Sequence, residues 1–106
     1  MALKRWNIAS FGTGGTGSTQ TLMTATAGKE TILLSLLISN YSTTTAANIT
    51  VAHTDGTSTI FQFKATIPAG NSPLAIDSKI VLEPADVISV TSNIDDVSVL
   101  ASGDES

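Results

Sequence analysis

Short apolar runs recur along this chain roughly every ten residues, separated by clusters of glycine, proline, asparagine and aspartate. That spacing belongs to antiparallel sandwiches and barrels, not to alternating strand–helix units. Candidate strands cover 19–25, 30–39, 47–53, 57–66, 74–82, 86–92 and 96–102. Turn chemistry falls between them at Ala27-Gly28-Lys29, Asn40-Tyr41-Ser42-Thr43, Asp55-Gly56, Pro68-Ala69-Gly70-Asn71, Glu83-Pro84-Ala85-Asp86 and Asn93-Ile94-Asp95-Asp96. Ile32 to Ile38 is too short for an isolated helix, and its flanks favour a central strand buried on both faces. Leu74, Ile76, Ile80 and Leu82 form one alternating row, Ile88 and Val90 a second, Val97 and Val99 a third. The chain is therefore expected to be all-β, a two-sheet antiparallel β-sandwich of jelly-roll type.

One hairpin can be argued to its register. A two-residue Asp55-Gly56 turn would put Phe61 and Phe63 on the opposite face from Ile49 and Val51. A three-residue loop from Thr54 to Gly56, with Gly56 left-handed, pairs Ile49 with Phe61, Val51 with Thr59 and Ala47 with Phe63. The longer loop gathers one apolar face and is the expected form.

Residues 1–18 differ from the rest. Trp6, Ile8 and Phe11 run into Gly12-Thr13-Gly14-Gly15-Thr16-Gly17-Ser18, where the glycines make a fixed backbone entropically costly. This reads as an N-terminal arm on a flexible joint, able to add a strand to its own sheet or a neighbour's. The alternative is that Trp6 caps the domain's own core. Residues 19–106 form the sandwich domain, ending in a short acidic tail.

Composition narrows the function. Of 106 residues 42% are hydrophobic and only 13% charged, while sixteen Thr and thirteen Ser supply the polarity. Such a surface suits packing against protein, because charges are costly to desolvate. The net charge is −4, and Lys4, Arg5, Lys29, Lys64 and Lys79 are scattered, so nothing forms a phosphate-neutralising patch and no nucleic-acid partner is expected. There is no cysteine, hence no disulfide, thiolate metal site or thiol nucleophile. No apolar run reaches membrane-spanning length and no export signal is visible, so a soluble, non-secreted product without a membrane partner is expected.

Catalytic motifs fail on inspection. Gly12 to Gly17 spells G-x-G-x-x-G, yet no parallel strand precedes it, no helix follows, and the acidic residue expected about twenty positions on is absent. Gly28-Lys29 is followed by Glu30 where a phosphate loop needs Ser or Thr. His53 is the sole histidine and sits with Asp55 at an expected hairpin tip, the setting of a solvated turn. Asp86, Asp95 and Asp96 could meet at one end of the sheets and hold calcium, but match no loop motif. Asn40-Tyr41-Ser42 and Asn48-Ile49-Thr50 satisfy the glycosylation pattern by chance, and few aromatic rings are free for sugar. No catalytic residue, cofactor or metal is expected.

The stretch from Ala25 to Asn40, with Ile67-Pro68-Ala69-Gly70 and Ile80 to Val90, resembles small β-sandwich virion proteins of tailed bacteriophages. That group shows an A-G-K turn, a hydrophobic strand ending in Asn, a Pro-Ala-Gly turn and a late G-D-x-I-x-V strand. Here Ala85 stands in place of the glycine before Asp86. The likeness covers roughly residues 22–102. It implies a virion location after synthesis in a host cytoplasm, as a capsid decoration (cement) protein bound to the major capsid protein, or as a head–tail or tail accessory protein. It also implies a homo-oligomer, by analogy a trimer. Trp6, Ile8 and Phe11 would then be the arm's anchors, so deleting 2–17 would leave a folded domain that no longer binds particles. A carbohydrate- or calcium-binding sandwich module is the alternative from another class.

Overall fold

A computed structural model describes residues 3–70 and 72–106; Met1, Ala2 and Asn71, the last residue of the expected Pro68–Asn71 turn, lie outside the described residues. Among the described residues every regular element is a strand: β1 (Leu3–Ile8), β2 (Ser18–Thr24), β3 (Thr31–Asn40), β4 (Ala47–Thr54), β5 (Thr59–Ile67), β6 (Ser72–Ile76), β7 (Ile80–Leu82), β8 (Val87–Ser92) and β9 (Val97–Glu105). They make two antiparallel sheets. One runs β1-β9-β3-β6, with β7 also on β3; the other runs β2-β8-β4-β5. Ile38, Val99 and Leu33 from the first sheet and Ile49, Val51, Ile88 and Val90 from the second join one buried cluster, so the arrangement is sandwich-like.

Period-two alternation accounts for the inner rows. On β4 the buried set is Ala47, Ile49, Val51 and His53, and on β8 it is Ile88, Val90 and Ser92. The expected 74–82 strand keeps its row, with Leu74, Ile76, Ile80 and Leu82 all turned toward the core, but breaks in two at Asp77-Ser78-Lys79. β3 departs from expectation. It is buried on one face only, and a bulge between Leu33 and Ser35 shifts the buried set from Thr31 and Leu33 to Leu36, Ile38 and Asn40. Leu34 and Leu37 are left facing outward.

The hairpin register also differs. Ala47 pairs with Ile67, Ile49 with Ala65, Val51 with Phe63 and His53 with Phe61. Each partner lies four residues beyond the expected one. Because four is even, the apolar face survives the shift. The cause is Asp55, whose carboxylate accepts hydrogen bonds from the backbone N–H of Thr57 (3.0 Å) and Ser58 (2.8 Å) and from both hydroxyls, stabilising a longer loop.

The N-terminal segment is an edge strand of this chain's own sheet, with Leu3 opposite Asp104 and Ile8 opposite Val99. Ile8 is buried, Phe11 is 0% exposed and Trp6 packs against the core from the edge. The glycine joint is fixed, not free. Asp95 accepts from Gly15 N–H (2.5 Å) and Gly17 N–H (2.9 Å), and Phe11 N–H donates to Asp95 O at 3.0 Å. Gly17 has φ +69°, and a Cβ there would collide with the Ser92 carbonyl oxygen, so glycine is required on both counts. The expected boundary at residue 18 is thus bridged by strand pairing and core packing. The expected acidic tail is strand as well: Glu105 is buried, ion-paired with Lys4 at 2.8 Å, and accepts from the Thr31 hydroxyl.

Removing Phe11 therefore acts on folding. Phe11→Ala is expected to lose about 3–5 kcal/mol of unfolding free energy, while Leu3→Ala stays within about 0.5 kcal/mol of wild type, both read from urea titrations. Acid should act through two carboxyls. The Lys4 ammonium, helped by Thr26 and Thr31, holds Glu105 down to about 2 against the opposing effect of burial. The Ser58 backbone N–H, with Thr57, holds Asp55 down to about 2. A folded-state value below the unfolded one contributes stability that is present above the unfolded value and lost as pH falls through the folded one. Urea midpoints should thus fall between pH 4.5 and about 2, and Glu105→Gln should show a shallower fall across that window.

Candidate functional site

The two outer faces of the molecule differ in chemistry. On the second sheet the outward row carries Thr19, Thr21, Asn48, Thr50, Thr66, Ser89 and Thr91, bonded to one another at places such as Thr19–Thr91 (2.7 Å) and Thr66–Asn48 (3.0 Å). On the first sheet Leu37 lies directly opposite Leu100, exposed by 42% and 44%, with Leu34 (39%) nearby. Serines 39, 98 and 102 and Arg5 surround them. The outward face of a one-sided antiparallel sheet is ordinarily polar, and these leucines at its centre depart from that pattern.

The second feature lies along one flank, where β5 ends the second sheet and β6 with β7 ends the first. Between them opens a groove of about 490 Å³ lined by His53, Phe61, Phe63, Ile76, Ile80 and Val81 among others. Phe61 and Phe63 stand 6.2 Å apart, centroid to centroid, and Phe61 is 59% exposed although it belongs to the inward row. It is uncovered because β6 and β7 part at Asp77-Ser78-Lys79, opposite it across the groove.

His53 forms part of the groove wall, and its partner is not the adjacent Asp55 but Asp86, 33 residues away. Their side chains meet at 2.9 Å, both buried. A carboxylate only accepts, so Nε2 carries the proton. Asp86 also accepts from Glu83 N–H (3.0 Å), while Ala25 N–H donates to Asp86 O and Ala85 N–H to Ala25 O. The turn before β8 is thereby pinned to the chain after β2. Within it Ala85 has φ +72°, the left-handed conformation a glycine would adopt without strain. The pair was not legible in the sequence because its members lie 33 residues apart and His53 has a nearer carboxylate in Asp55.

Comparison with protein-family models, curated proteins and solved structures found no match.

The remaining sequence candidates fall as follows. Ile8 and Phe11 are spent on the chain's own core and Trp6 lies over Gly103, so the expected anchors do not form a free surface in this fold. Asp86 precedes β8 whereas Asp95 and Asp96 follow it, a strand-length of roughly 20 Å apart, so the three carboxylates do not meet. Asn40 is buried and its Nδ2 donates to the carbonyls of Thr45, Ile67 and Pro68, which closes that glycosylation motif; Asn48 is exposed. Among the described residues no group of three metal-ligating side chains occurs.

Thermal melts of two variants test the turn. Ala85→Gly is expected to gain up to about 1 kcal/mol, the relief of left-handed strain less the added chain entropy. Asp86→Ala should lose about 2–4 kcal/mol, because the donors of His53 and Glu83 are left unpaired.

Proposed function

We propose that this chain is a non-enzymatic structural protein of a virus particle, a capsid decoration protein that seats the outer face of its first sheet on the capsid protein. The observation that carries this reading is the directly opposed, exposed pair Leu37 and Leu100, with Leu34 also exposed on the same strand, on a face that should be polar. Its make-up, apolar at the centre with serines around it and charge only at the margin, is that of a protein–protein contact.

Strand order supports the virion part of the reading. Counting β6 and β7 as halves of one broken strand, the sheets become 1-8-3-6 and 2-7-4-5, a connectivity consistent with a jelly roll. Jelly rolls serve in capsids, lectins and cupins, so the order favours the class without naming the member. The likeness of Ala25–Asn40 and Ile80–Val90 to phage virion sandwiches points to the capsid among these. The N-terminal arm survives in this reading only as β1, a strand given to its own sheet.

Immunogold labelling of purified virions should detect the chain on the head. A Leu37→Ser/Leu100→Ser double variant should fold normally yet fall by roughly tenfold in particle occupancy, since burying the remaining exposed part of each leucine supplies about 1 kcal/mol. Wild-type chain absent from particles, or the double variant incorporated at wild-type level, would overturn the reading. Calorimetry with calcium and a glycan panel should be silent; heat from either favours a ligand-binding module instead.

A further inference from the structure

Among the described residues the two sheets have four edges, and three of them carry several features that discourage strand addition. β1 has only six residues, two of them Lys4 and Arg5. β2 is interrupted by an irregularity between Thr21 and Met23. β6 has five residues with Pro73, and β7 only three. Short, charged, irregular and proline-bearing edges are how sheets avoid pairing with neighbours.

β5 carries one lysine, Lys64, and an irregularity confined to Ile60, between its pairings at Thr59 and Phe61. It is nine residues long, contains no proline, pairs with β4 without interruption from Phe61 to Ile67, and exposes Ile60 (54%) and Phe61 (59%). We infer that β5 pairs antiparallel with β5 of a second copy of this chain, about a two-fold axis at Gln62. The surface is distinct from the leucine face, so this inference and the proposed function stand or fall separately.

The register follows from three constraints. Side chains alternate between faces, so the two-fold must pass through a residue and not between residues; otherwise Phe61 would oppose an outward side chain. Centring on Lys64 sets two ammonium groups opposite each other, which is destabilising. Centring on Phe63 leaves Phe61 opposite Ala65, and centring on Phe61 runs the pairing into the Asp55–Ser58 loop. Centring on Gln62 remains. It places Phe61 opposite Phe63 of the second copy and Phe63 opposite Phe61, a favoured cross-strand pairing repeated by symmetry. The exposed Phe61 then closes over the groove floor formed by Ile76 and Ile80. The two four-stranded sheets become one of eight strands.

The chain lacks cysteine, so a single introduced thiol reports the register unambiguously. Directly opposed residues bring Cβ atoms to about 4.5–5.5 Å, close enough for a disulfide after small adjustment. Light scattering of the intact chain at micromolar concentration should give twice the 10.9 kDa chain mass. Under mild oxidation Gln62→Cys should cross-link to itself, while Phe61→Cys and Phe63→Cys should cross-link when mixed and not alone. Phe61→Lys, at an exposed position, should weaken the dimer by roughly tenfold or more without altering the circular dichroism. A monomeric or trimeric mass overturns the inference, as does Gln62→Cys failing to cross-link or Phe61→Cys cross-linking with itself. Retained particle incorporation by a monomeric Phe61→Lys variant leaves the capsid reading intact.

Discussion

The backbone of an open sheet ends in N–H and C=O groups that the sheet itself cannot pair, and this chain has two such sheets with edges on both flanks. How each edge is treated organises the rest of the molecule. On one flank β1 takes the edge position beside β9, and its six residues bring Ile8 inward, lay Trp6 over Gly103 and lead Phe11 into the core. Gly103 tolerates no Cβ there, because the atom would meet the Ile32 carbonyl oxygen, so the close approach of β9 to β3 depends on that glycine. Lys4 and Glu105 then tie β1 to the end of β9. On the other flank the broken β6–β7 edge lies across the groove from β5, which at nine residues is the longest edge strand among the described residues.

Much of this was legible in the sequence wherever a short-range pattern decided it. Alternation located the strands to within a few residues, and the parity of the hairpin could be argued from its apolar face, since an odd shift would have turned Phe61 and Phe63 outward. The absolute register was not legible. It depends on how many loop residues the Asp55 carboxylate can gather, which a count of turn residues does not reveal.

Long-range partners were the other blind spot. The glycine run looked flexible because glycine is flexible on its own, yet it is ordered by Asp95, nearly eighty residues away, and by the Ser92 carbonyl pressed against Gly17. His53 looked solvated beside Asp55 and is instead held by Asp86. Leu34 and Leu37 read as doubly buried strand because a continuous apolar run gives no sign that its outer face is left open. In each case the missing information was tertiary, because local pattern does not say which residues the rest of the fold will cover.

The leucine face and the β5 edge become linked once geometry is considered. Antiparallel pairing that keeps inner faces together has its two-fold axis normal to the sheet, so two copies joined at β5 present both leucine clusters toward the same side. A dimer of this kind meets a repeating protein surface at two points at once. The second contact is then intramolecular, and apparent affinity rises well beyond that of one modest apolar patch, provided the spacing of sites matches that of the clusters. This gives a physical reason for a charge-poor domain with a small leucine cluster to retain an unguarded edge. Self-association there would multiply the weak contact proposed for a single copy, whose three leucines are only about 40% exposed. It also favours seats related by two-fold symmetry over the three-fold ones that a trimer would occupy.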